Sequence, residues 1–113
     1  MFLQTWKKYL PVIILLMKRS EKGEQVLDMN YTDFQRATGG KKTKLTFSSL
    51  QLNNGRTNYD ANNTQLAKDL ILVLQENEQT GAMLKNKQFE FSVNSSYQLT
   101  IRNSTVAEQK EAV

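Results

Sequence analysis

A run of nine apolar residues near the N-terminus, Tyr9-Leu10-Pro11-Val12-Ile13-Ile14-Leu15-Leu16-Met17, sets the strictest condition on how this chain can fold. Lys7-Lys8 precede it and Lys18-Arg19 follow it. Burying one Leu or Ile side chain is worth roughly 1.5–3 kcal/mol, so a run of this kind must find cover. Nine residues fall short of a bilayer span, which takes about 20. A signal-peptide reading also fails, because no small-x-small cleavage site follows and Trp6 stands before the run. An anchor lying in the membrane surface, helped by the flanking lysines and Trp6, ranks below a buried core element. No membrane partner is expected, and the expected compartment is the cytoplasm.

Helical spacing is visible across the segment. Trp6, Leu10, Ile13 and Met17 recur at intervals of four, three and four, which is one helical face. Val12 to Met17 is apolar on every side, so the segment is either deeply buried or shared with a partner. Pro11 lacks an N–H and restricts Leu10, so it should kink the helix or open a new one. The β-branched Val12, Ile13 and Ile14 leave a strand over 12–17 as the alternative.

Downstream, Ser20 to Glu24 contains Gly23 among polar residues and reads as a turn. Thr32-Asp33-Phe34-Gln35 matches a capping box, predicting a short helix from Thr32 to Ala37 that stops at Gly39-Gly40. From Thr43 the period becomes two. Leu45 and Phe47 share one face, then Leu50 and Leu52 share one, and the phase slips at Ser48-Ser49 as a β-bulge would make it. Asn53-Asn54-Gly55 is a strong hairpin signal, and a weaker strand returns over Arg56 to Asp60.

Asn62-Asn63-Thr64 should cap a long helix whose buried stripe is Leu66, Leu70, Val73 and Leu74. Gly81 should interrupt it, with a last turn over Ala82-Met83-Leu84. A final hairpin alternates Phe89, Phe91 and Val93 with Tyr97, Leu99 and Ile101 around Asn94-Ser95-Ser96. The expected fold is α+β: a four-stranded antiparallel sheet from two hairpins flanking a long helix, ββαββ, with the apolar helix of residues 1–19 and the short second helix ahead of it. At 113 residues the chain suits a single domain, expected to span residues 1–103, and the polar segment 104–113 should be a disordered tail.

Composition narrows the chemistry. The chain has no histidine and no cysteine, which removes imidazole bases, thiol nucleophiles, disulfides and most zinc, copper or iron sites. Asp28, Asp33, Asp60, Asp69 and Glu90 fall singly at turns, helix starts or the polar phase of a strand, which is not the pairing that glycoside hydrolysis needs. No calcium loop occurs. Gly39-Gly40-Lys41-Lys42-Thr43-Lys44 lacks the P-loop spacing and leads into a strand rather than a helix. A non-enzymatic protein without cofactor or metal is expected.

Charge points to binding. Residues 1–50 carry nine basic and four acidic side chains, a net of +5, against −1 for residues 51–113. A basic half suits phosphate-rich partners through counterion release. The first expectation is therefore a small non-catalytic module associated with RNA, single-stranded DNA or a ribonucleoprotein, with Lys41, Lys42, Lys44, Arg56 and Arg102 contacting phosphates. The alternative is a protein-interaction or homodimerising module that docks through Trp6, Leu10, Ile13 and Met17. Neither the RNP signature nor a KH-type GxxG loop is present.

Overall fold

The computed structural model describes residues 3–29, 32, 45–53, 56–60 and 64–103. Three helices are seen among them: α1 (Leu3–Arg19), α2 (Thr64–Glu76) and α3 (Glu78–Asn86). Five strands accompany them: β1 (Gln25–Asp28), β2 (Phe47–Asn53), β3 (Arg56–Asp60), β4 (Gln88–Val93) and β5 (Gln98–Asn103). The class is α+β, as expected. The strands form one antiparallel sheet in the order β1-β5-β4-β2-β3.

Both expected hairpins are in place, and β2 and β4 join them at the centre of the sheet. The phase slip at Ser48-Ser49 is real: Phe47 pairs with Val93 and Leu50 with Phe91, so the two serines together face Ser92 alone. The expectation of four strands needs correction. Gln25–Asp28 adds a fifth along β5, with Val26 opposite Thr100 and Leu27 opposite Leu99. Tyr97 also departs from its expected strand position. It sits in the connecting turn at a φ of 59°, the left-handed region that closes a four-residue hairpin loop.

The single long helix is two. It breaks at Asn77 rather than Gly81, because the Asn77 side-chain carbonyl accepts the Gln79 and Thr80 N–H groups at 3.0 and 3.1 Å and starts α3. Gly81 lies inside α3 and has a different role. A Cβ there would come within 3.2 Å of the Gln75 carbonyl oxygen, so glycine lets the two helices fold back closely.

α1 runs unbroken through Pro11, which settles the strand alternative and replaces the expected break. The hydrogen bond that proline forfeits leaves the Lys7 carbonyl on the exposed side of the helix, where water can take it. The inward stripe of α1 packs on α2, and α1 also lies across β1 and β5. The indole N–H of Trp6 donates to the Leu66 carbonyl at 3.0 Å, tying the first turns of the two helices together. Ile13, Met17, Leu66, Leu70 and Leu74 join Phe47, Leu50, Phe89, Phe91, Leu99 and Ile101 in one core between helices and sheet.

The opposite sheet face is polar: Gln51, Glu90 and Arg102 stand in register across β2, β4 and β5. The expected short helix falls outside the described residues apart from Thr32, as do the turn at Asn54-Gly55, the caps Asn62 and Asn63, and the tail 104–113.

One exposed ion pair closes the far end of the layer. Lys87, just after α3, meets Glu21 in the turn after α1. The Lys87 hydrogen bond, and then its charge, hold the Glu21 carboxyl below the ordinary glutamate range. Because the folded value is the lower one, the pair's contribution is present above the ordinary value and fades as pH falls through the folded one. Lys87→Ala should return Glu21 to the ordinary range, read by NMR titration of its side-chain carboxyl. An unmoved titration would show that the pair does not form in solution.

Candidate functional site

The structure divides the expected interface residues of α1 by face. Trp6, Ile13 and Met17 are fully buried in the chain's own core, and Leu10 is half-buried against it. Any partner meeting α1 must therefore use the other side of the helix. That side carries Val12 at 42% exposure and Leu15 at 46%, with Pro11 exposed and Ile14 half-buried. Lys7, Lys8, Lys18 and Arg19 are exposed around them, and α1 itself contains no carboxylate.

A shallow groove of about 400 Å³ runs beside this face. Leu10, Pro11, Ile14, Leu15 and Lys18 form its α1 wall, and Asn77 and Gln79 at the start of α3 form the other. Sequence reasoning missed Val12 and Leu15 as surface residues for a definite reason. Where every position is apolar, periodicity cannot tell the inward stripe from the outward one.

The expected phosphate-contacting residues gather less well. Lys41, Lys42 and Lys44 lie outside the described residues. Arg56 opens β3 opposite Asn53, while Arg102 lies on β5, so β4 and β2 separate the two. At about 4.8 Å per strand that is roughly 14 Å. Arg102 is exposed but has carboxylates on both sides, Glu24 at 3.8 Å and Glu90 at 3.9 Å. Gln51 completes the row with a 3.3 Å hydrogen bond to Glu90. Phe47, Phe89 and Phe91 are buried on the inward face and give bases nothing to stack on.

A second groove, about 370 Å³, lies over the bulge. Hydroxyl side chains line much of it: Thr46, Ser48, Ser92, Ser95 and Thr100. The Thr46 hydroxyl is buried without a hydrogen-bond partner among the described residues. No cluster of three or more acidic side chains that could hold a metal ion occurs among the described residues, nor a helix long and apolar enough to cross a membrane.

Compared with known proteins, the chain matches no family model, no curated protein and no solved structure.

An unpaired buried hydroxyl costs about 1–3 kcal/mol of desolvation. Thr46→Val keeps the shape and removes that group, so it should raise stability by about 1 kcal/mol in urea denaturation. A loss of stability would mean that the hydroxyl has a partner in solution.

Proposed function

We propose that this domain is a non-catalytic binding module that docks a protein partner through the outward face of α1. The observation that carries the reading is the exposure of Val12 and Leu15 on a helix whose opposite stripe is built into the core. Lone exposed apolar residues are ordinary, as Val26 on β1 and Leu72 on α2 illustrate. Leu15 differs in lining a groove together with Pro11 and Ile14, and exposed Val12 precedes it by three residues on the same helix. An apolar floor with a few polar groups at its rim is the usual makeup of a binding cleft.

The nucleic-acid reading has less behind it. Of its two described cations, Arg102 already has two carboxylates within 4.0 Å and Arg56 stands three strands away on β3, whereas steep phosphate affinity needs several uncompensated cations acting together.

Two measurements separate the readings. Light scattering on the purified chain, with a mixed RNA and single-stranded DNA pool at low salt, should show no mass gain. A salt-reversible gain, abolished by Lys41→Glu with Lys42→Glu, would transfer the function to the basic loop. A photo-crosslinking residue placed at Leu15 in the native host should trap a protein, while the same residue at Gln75, exposed on α2, should not. Equal trapping at both positions, or none at Leu15, would overturn the proposal.

A further inference from the structure

We infer that the partner of the α1 face is an acidic peptide segment, one that places an apolar side chain in the groove and sets carboxylates against the helix. The inference rests on the docking reading above and adds the chemistry of the occupant. Lys7, Pro11, Ile14, Leu15 and Lys18 follow one another at helical spacing, so a cation stands at each end of an apolar stripe. Lys8 and Arg19 widen the positive rim, and all four cations are exposed. Lys7, Lys18 and Arg19 have no carboxylate on their own helix to answer them.

Charge and shape select among occupants. A second copy of the chain would set this cationic rim against its like, and like charges brought together across an interface repel. A nucleic acid would answer the cations and leave the apolar stripe uncovered. An anionic bilayer could answer both, but a flat surface does not enter a groove between two helices. A peptide that projects a Leu- or Phe-sized side chain does enter it, in the manner of segments that anchor one face in a cleft. Orientation follows from the far wall. Glu76 and Glu78 are exposed on either side of Asn77, so the peptide's carboxylates belong on the α1 side and its neutral groups beside Asn77 and Gln79.

The test is selection of a random peptide display library on the immobilised chain, followed by fluorescence anisotropy with the labelled peptides that emerge. The expected peptides carry a large apolar residue within a turn of two or more Asp or Glu. Their affinity should fall at least tenfold between 50 and 500 mM salt, where screening shortens the reach of surface charge from about 14 Å to about 4 Å. It should fall at least tenfold in Lys7→Gln with Lys18→Gln. It should be lost in Leu15→Glu and kept in the control Gln75→Glu. Circular dichroism and thermal melts confirm that each variant folds, and Leu15→Ser serves if Leu15→Glu does not.

Peptides of neutral or basic consensus that still need Leu15 would overturn the acidic partner and leave docking on α1 standing. Peptides indifferent to Leu15 would overturn both. Failure to enrich any peptide would overturn the inference. So would Leu15-dependent binding to vesicles of equal phosphatidylglycerol and phosphatidylcholine with no such peptide enriched, since the occupant would then be lipid.

Discussion

The hydrogen bond from the Trp6 indole to the Leu66 carbonyl joins segments 60 residues apart, and the position of α1 depends on it. A Trp ring delivers a large buried area only if its N–H is satisfied. Here the first turn of α2 supplies the acceptor. With Trp6 fixed, helical spacing places Ile13 and Met17 over the same core, and everything a partner can reach on α1 follows as the remainder. The outward face is what is left when one helix carries more apolar residues than one core can take.

That division explains why the fold was easier to read than the site. Alternation in Phe89, Phe91 and Val93, the slip at Ser48-Ser49 and the stripe through Leu66, Leu70, Val73 and Leu74 are local signals, and each survives in the structure. β1 has no such signal. Gln25–Asp28 is only four residues long, and its pairing depends on an edge of β5 supplied by residues at least 70 positions later. The break at Asn77 was hidden for a similar reason. Glycine is a generic helix breaker, whereas an asparagine interrupts a helix only where its side chain can cap the next one. Thr80, buried beside that cap and bonded to the Leu74 carbonyl, fixes the angle between the two pieces.

Along α1 the sequence marked out a stripe but left open what that stripe meets. Trp6, Leu10, Ile13 and Met17 do form one stripe, yet spacing alone does not say whether a stripe meets its own sheet or another molecule. The decision came from the sheet, whose inward face of Leu50, Phe89, Phe91, Leu99 and Ile101 needs a cover that α2 and α3 do not complete. On the basic side, spacing along the chain does not show that β4 and β2 come between Arg56 and Arg102. Arg102 lies in a row with Glu24 and Glu90, so its contribution to a positive field is largely answered locally.

The central claim, that α1 is built into the core by one face, can be tested on the native chain, because it holds a single tryptophan. Trp6 emission should be blue-shifted and resistant to acrylamide quenching in the folded protein, and it should turn red and quenchable in the same transition that removes the far-UV dichroism. A red, freely quenched emission under native conditions would mean that α1 is not docked, and the separation of its two faces would fall with it.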